Sequence, residues 1–83
     1  TVDVHAYRIE AGSDVVGQSL GEIKLRNRTG VTLLAVKRRK KIIEHPGAEF
    51  VFEANDKVYV LGKPEELAQA ALLFSAPTNP HAA

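Results

Sequence analysis

The stretch "GVTLLAVKRRKKIIE", residues 30–44, has the clearest structural pattern in this 83-residue chain. Residues 31–38 are rich in β-branched and aliphatic side chains, in a run too continuous for a half-exposed strand, which predicts a strand that is central or buried on both faces. A tight turn at residues 39–40 then leads into a second apolar run over residues 41–44. The stretch therefore predicts a β-hairpin whose end carries the five basic residues 37–41.

Upstream of the hairpin, the sequence predicts one strand and one short helix. Residues 2–9 alternate with an imperfect two-residue period, which is typical of a strand. Ser19 and Glu22 have the spacing of a capping box, in which each side chain accepts a hydrogen bond from the other residue's backbone N–H. The helix that begins there is predicted to break near Leu25 and to end at Gly30, which suits a C-terminal cap.

Downstream of the hairpin, residues 50–53 and 57–62 are two further apolar runs that predict strands. They are joined by the pair Asn55-Asp56, and both residues tolerate turn dihedrals. Pro64 suits the first position of a final helix. The apolar stripe of that helix has four members at helical spacing: Leu67, Ala70, Ala71 and Phe74.

This order of elements predicts an α+β fold. We expect a small, mostly antiparallel sheet in the order β-α-β-β-β-β-α, with two helices on one side. Residues 1–74 are predicted to form one domain, and residues 75–83 a disordered tail. The chain begins with Thr1 rather than Met, which we interpret as a piece excised from a larger protein or a processed chain.

Composition excludes several classes of protein. The chain has no cysteine, which excludes disulfides, zinc–thiolate sites, iron–sulfur clusters and thiol nucleophiles. The net charge of +1 shows no overall basic excess that would indicate nucleic acid or an anionic membrane as the partner. No apolar run approaches the roughly 20 residues that cross a bilayer. These features fit a cytoplasmic domain.

Catalytic and metal-binding patterns are missing from the sequence. His5, His45 and His81 lie far apart and form no pair with metal-ligand spacing. None of the serines has the Gly-x-Ser-x-Gly context of a nucleophile, and no glycine pattern matches a phosphate loop. We therefore expect no enzyme, no catalytic residue and no metal site.

The basic run at residues 37–41 allows two interpretations. A hairpin end is exposed, so five charges there can be no more than a solvated turn. Alternatively, an arginine fork there could bind phosphate oxygens two at a time. Strand alternation places Lys37 and Arg38 on opposite faces, so the five charges cannot all reach one ligand.

Three motifs follow one another in register across residues 7–74. Their members are, in chain order, Ile9, Gly12, Ser13, Gly17 and Leu20; then Arg26, Gly30, Val31, Leu34, Ala35, Val36 and Arg38; then Pro46, Asp56, Val58, Val60 and Gly62, followed by "PEEL". This pattern resembles the TrkA-C domain, also called RCK-C, the C-terminal regulatory module of bacterial and archaeal potassium channels and transporters. One departure is Asn55 where the family usually has glycine, and asparagine is a good substitute in a left-handed turn.

The resemblance implies a homodimeric, non-catalytic domain at the cytoplasmic face of a membrane-embedded channel or transporter. In several relatives an effector, cyclic di-AMP, binds between two copies. On this sequence the implied site has Leu34, Ala35 and Val36 as an apolar floor for adenine, Arg38 as the phosphate partner, and His45 and Pro46 at the edge. The same residues could instead be core, dimer or loop residues.

Three alternatives stay open at this point. The effector could be a divalent cation, for which the available carboxylates are Asp14, Glu44, Glu49 and Glu53, although no spacing singles them out. The chain could be a dimerisation domain without a ligand. It could also be a basic module associated with nucleic acid, although we expect no nucleic-acid partner. The parent channel or transporter and its ion are not defined by the sequence.

Overall fold

The computed structural model describes residues 1–77. Four antiparallel strands form one sheet in the spatial order β1-β4-β2-β3. Three helices accompany it, two of them very short. The elements in chain order are β1 (Asp3–Arg8), α1 (Leu20–Ile23), α2 (Leu25–Thr29), β2 (Thr32–Arg38), β3 (Lys41–Glu44), β4 (Lys57–Gly62) and α3 (Pro64–Phe74).

The predicted hairpin is formed by β2 and β3. Arg38 pairs with Lys41 and Val36 pairs with Ile43, so the turn lies at residues 39–40 as predicted. Arg39 closes this turn with a left-handed backbone, at φ 57°. β2 is an inner strand because β4 pairs along its other edge, with an irregularity in register between residues 33 and 35.

The helix predicted after Ser19 is divided in two. The Ser19 N–H donates to Glu22 Oε1 at 2.8 Å and the Glu22 N–H donates to Ser19 Oγ at 3.1 Å, so the capping box is present. Lys24 has a left-handed backbone, with φ 52°, and separates α1 from α2. Gly30 caps α2 at φ 90°. The break thus falls one residue before Leu25.

The core lies between one face of the sheet and the helices. α2 and α3 contact each other, α2 contacts β2, and α3 contacts β1 and β4. The buried apolar side chains are Ile9, Val15, Ile23, Leu25, Val31, Val36, Phe52, Val58, Val60, Leu67, Ala70 and Phe74. Alternate residues point to the opposite face, which we call the outer face, where Val4 is 56% exposed. The predicted α+β fold, with an antiparallel sheet and helices on one side, is confirmed.

The strand predicted at residues 50–53 is wrong. This segment forms a single antiparallel bridge, between Ser19 and Val51. Its backbone bonds go to the start of α1 and to the loop before it, with the Leu20 N–H donating to Phe50 O at 2.8 Å and the Phe52 N–H donating to Gln18 O at 3.0 Å. The run is apolar because Phe52 enters the core, and not because it joins the sheet.

The chain leaves α3 along the body of the domain. Ser75 Oγ donates to Ala71 O at 2.8 Å, and the Ala76 N–H donates to Glu10 Oε1 at 2.7 Å. The rest of the predicted tail, including His81, lies outside the described residues. Within residues 1–77, no helix has the length and apolar character needed to cross a membrane.

Candidate functional site

Four of the six candidate residues lie at the accessible surface of β2 and of the loop after β3. Leu34, Ala35 and Pro46 are half-buried and His45 is exposed. The His45 N–H donates to Leu34 O at 3.2 Å, which holds the loop against the strand. His45 itself has a left-handed backbone, at φ 46°. The structure therefore brings the predicted apolar floor and the predicted edge next to each other.

Val36 differs from the other candidates because its side chain is fully buried. It pairs with Val58 of β4 on one side and with Ile43 of β3 on the other. A side chain with no exposed surface contributes packing. This burial places Val36 in the core rather than on a surface open to a ligand.

Arg38 makes an internal ion pair. Its Nε donates to Asp56 Oδ1 and its Nη2 donates to Asp56 Oδ2, both at 2.8 Å, which is the paired geometry in which a guanidinium binds a carboxylate most strongly. The Asp56 side chain is 1% exposed and that of Arg38 is 21% exposed. Arg38 therefore supplies the positive charge that lets a carboxylate be buried here.

Further contacts hold the Arg38 guanidinium in place. Nη2 also donates to Val51 O at 2.8 Å, and Nη1 lies 3.1 Å from Glu53 Oε2. The ring of Phe50 lies 4.9 Å from the guanidinium carbon, within the range of a cation–π interaction. The hydrogen bonds to Asp56 raise the pKa of Arg38 above its usual value, so the charge is permanent. A phosphate-binding role for Arg38 stays a prediction.

The sequence did not predict the ion pair of Asp56 with Arg38. Asp56 was placed in a turn with Asn55, and the structure confirms a turn, since Asn55 has a left-handed backbone at φ 73°. The Asp56 carboxylate also accepts the Glu53 N–H at 2.9 Å, in addition to the bonds from Arg38. The available signal for the ion pair was an aspartate just before one apolar strand and an arginine at the end of another.

The other four basic residues of the run are exposed: Lys37, Arg39, Lys40 and Lys41. Lys37 points to the face opposite Arg38, as the alternation predicted. Two concavities, of about 220 and 580 Å³, have Arg38 and Arg39 in their linings. A third, of about 330 Å³, lies beside α1, α2 and the start of β2, away from the candidate residues.

The four carboxylates considered for a divalent cation are not gathered together. In residues 1–77, no group of three histidine or acidic side chains is placed to hold a metal ion. Glu53 is instead paired with Arg38. The described part of the chain thus offers no built cation site by itself.

Comparison with known proteins defines the family. The family model described as the TrkA-C domain matches residues 4–75. The chain belongs to the TrkA-C family. Both Arg38 and Asp56 lie within the residues that match the family.

Two curated relatives are components of potassium transport systems. Probable potassium channel protein 2 of Methanocaldococcus jannaschii is 30% identical over 66 residues, which are 80% of this chain and 19% of that protein. The K(+)/H(+) antiporter subunit KhtT of Bacillus subtilis is 31% identical over 62 residues, which are 74% of this chain and 38% of that protein. The TrkA-C domain thus spans well under half the length of either relative.

Solved structures of BusR from S. agalactiae have the same fold. The RCK_C domain dimer of BusR in complex with c-di-AMP has a TM-score of 0.82 and 26% identity, and the match covers 88% of this chain and 90% of that one. BusR in complex with its busAB-promoter DNA has a TM-score of 0.81 at 27% identity, but the match covers only 35% of that chain.

Proposed function

We propose that this TrkA-C domain is a non-catalytic sensor and dimerisation domain of a potassium or other monovalent cation transport system. In this proposal it works at the cytoplasmic face of the membrane, attached to a channel or transporter. It binds cyclic di-AMP between two copies, and the ligand changes the balance between conformations of the dimer. The observation that carries the proposal is the similarity to the BusR RCK_C dimer with c-di-AMP over 88% of the chain.

The geometry of this chain supports a shared site. The half-buried Leu34, Ala35 and Pro46 offer apolar surface for a base, and the exposed His45 offers ring nitrogens for hydrogen bonds. These side chains present only part of an enclosing surface within one copy. A twofold-symmetric ligand would meet the same residues twice at a twofold axis, and the second copy would complete the site.

The test is a pair of measurements on the 83-residue chain. Light scattering should give the mass of a dimer. A thermal melt should show a higher midpoint with cyclic di-AMP than with cyclic di-GMP or with no ligand, because a ligand that binds the folded state stabilises it by mass action. A dimer that no cyclic dinucleotide stabilises would contradict ligand sensing and would leave a dimerisation domain without a ligand.

A nucleic-acid function has one observation in its favour, the BusR structure with promoter DNA. The similarity to this chain covers about a third of that BusR chain, so the DNA contacts of BusR do not transfer to this domain. We propose no nucleic-acid partner. Binding of the chain to duplex DNA at moderate salt, with a steep loss of affinity as salt rises, would contradict this.

A further inference from the structure

Three cations stand side by side across the outer face of the sheet. Arg8 of β1 pairs with Lys57 of β4, and Lys57 pairs in turn with Lys37 of β2. Paired residues share a face, and the neighbours Val36 and Val58 are buried on the other one. Neighbouring strands are about 4.8 Å apart, so the three side chains project from a line about 10 Å long. We call these three residues the outer basic row.

Within residues 1–77, the partners of the outer basic row are neutral groups. Arg8 Nη1 donates to the side-chain oxygen of Asn55 at 2.9 Å. Lys57 Nζ lies 5.6 Å from the centre of the Tyr59 ring. Both salt bridges found in residues 1–77 belong to Arg38, on the opposite face. In this described part of the chain, no carboxylate oxygen lies within 4 Å of a charged nitrogen of the row.

Folding alone does not explain this arrangement. Like charges placed directly opposite each other on neighbouring strands destabilise a sheet. Here the middle cation, Lys57, has a like charge on both sides. The row therefore opposes the stability of the sheet that carries it, and an anionic ligand would remove that repulsion.

The row also lines a concavity of a size that suits a small molecule. The concavity measures about 640 Å³, and small-ligand sites in proteins are typically about 300–1,000 Å³. Its wall is completed by a fourth cation, Arg39, which the left-handed turn of the hairpin places there. The lining residues are Ala6, Arg8, Lys37, Arg39, Asn55 and Lys57.

We propose that the outer basic row binds a small molecule that carries two adjacent phosphate groups. An arginine fork and two lysines provide donors of one sign within about 10 Å, which suits a compact dianion or trianion. The same row is short for the backbone of a nucleic-acid duplex, which needs basic residues distributed along an extended face. This site lies on the face opposite Arg38 and does not depend on the function proposed above.

The test is a calorimetric titration of inorganic pyrophosphate into the 83-residue chain, with orthophosphate as the comparison. We expect pyrophosphate to bind at least tenfold more tightly than orthophosphate, and Lys57→Gln to weaken pyrophosphate binding at least tenfold. Arg28→Gln is the matched control, because it removes one exposed positive charge from α2 on the helix side and should leave the affinity within twofold. Because Lys57→Gln also removes the repulsion of residue 57 by Arg8 and Lys37, its melting temperature should be no lower than that of the wild type.

Lys37→Gln provides a second, independent variant, and it should also weaken pyrophosphate binding. Equal affinity in Lys57→Gln, Lys37→Gln and Arg28→Gln would overturn the proposal. So would cosedimentation with phosphatidylglycerol vesicles in the absence of any pyrophosphate binding, which would assign the row to a membrane surface. Tight binding to duplex DNA without pyrophosphate binding would overturn it in favour of nucleic acid.

Discussion

At the scale of single residues, the pair of Arg38 and Asp56 defines how the basic hairpin joins the body of the domain. The carboxylate of Asp56 is buried, and the charge it needs comes from a strand end 18 residues away. The same guanidinium binds Val51 O and lies over Phe50. The Arg38 side chain thus connects the end of β2 to residues 50–56, the segment that precedes β4 and includes the turn at Asn55-Asp56.

Replacing Arg38 with alanine should destabilise the fold strongly. The change leaves a buried carboxylate without its partner, which costs about 3 kcal/mol of unfolding free energy. Urea unfolding should show the loss, whereas Lys40→Ala, at an exposed turn position, should change the free energy by less than about 0.5 kcal/mol. A similar small change in both variants would contradict the structural role of Arg38.

Glu22 should make stability depend on pH. Hydrogen bonding from Ser19, first by its backbone N–H and then by its side chain, lowers the pKa of the Glu22 carboxylate below its usual 4.5. The unfolded chain then binds more protons than the folded chain, so this stabilisation is complete above pH 4.5 and is lost as pH falls through the lower folded pKa. Glu22→Gln keeps the cap but does not titrate. As pH is lowered, the urea midpoint should therefore fall more steeply in the wild type than in Glu22→Gln. Parallel curves for the two proteins would contradict this role of Glu22.

Local rules predicted many of these residues, but not the ion pair. Ser19, Gly30 and Asn55 were identified from capping and turn chemistry that involves only near neighbours along the chain. The partner of Arg38 depends on how β2 and the turn before β4 meet in three dimensions. No sequence spacing encodes that contact, so the sequence alone did not predict it.

At the scale of elements, the end of α2 is coupled to the start of α3 through Gly30. A Cβ built at Gly30 would lie 2.5 Å from Glu66 Oε2. Glu66 is needed where it is, because its Oε1 accepts the Lys63 N–H at 2.8 Å at the start of α3. The left-handed backbone of Gly30 and this close approach both require glycine.

Gly30→Ala should therefore cost more than Gly17→Ala. Both glycines have a left-handed backbone, with φ 90° and 84°, but nothing lies within 4 Å of a Cβ at Gly17. The backbone term is about 1–2 kcal/mol at either site, and displacement of the Glu66 cap should add about 1 kcal/mol at Gly30. Denaturant unfolding of the two variants gives the comparison. Equal losses of unfolding free energy would show that the Glu66 side chain can move away from the added Cβ without destabilising the fold, which would contradict this prediction.

The strands of the sheet were predicted from the pattern of side chains along the chain. Alternation predicted β1, an apolar run predicted β4, and the continuous run over residues 31–38 predicted β2 as an inner strand. Residues 50–53 have the same apolar character, but Phe52 fills the core while the backbone bonds the loop before α1. An apolar run indicates that a segment is buried. It does not show whether the backbone of that segment hydrogen-bonds to a strand or to a loop.

At the scale of the whole molecule, the two faces of the sheet have different roles. The inner face is covered by helices and holds Arg38 and Asp56. The outer face carries exposed apolar residues and the outer basic row. The fold class and the family could be predicted from sequence, because motif spacing and periodicity extend along the chain. A row of charges on three strands could not be predicted, because it depends on strand order.

We propose that two copies of this TrkA-C domain share one cyclic di-AMP. Calorimetric titration of cyclic di-AMP into the wild-type chain and into His45→Asn is the test, since asparagine keeps the left-handed backbone of residue 45 and removes the imidazole. Glu49→Gln, at an exposed position in the same loop, is the control.

We predict saturation at one ligand per two chains, with affinity about tenfold weaker in His45→Asn, equivalent to about 1.4 kcal/mol, and unchanged in Glu49→Gln. Saturation at one ligand per chain, or no heat of binding to a folded dimer, would contradict the claim.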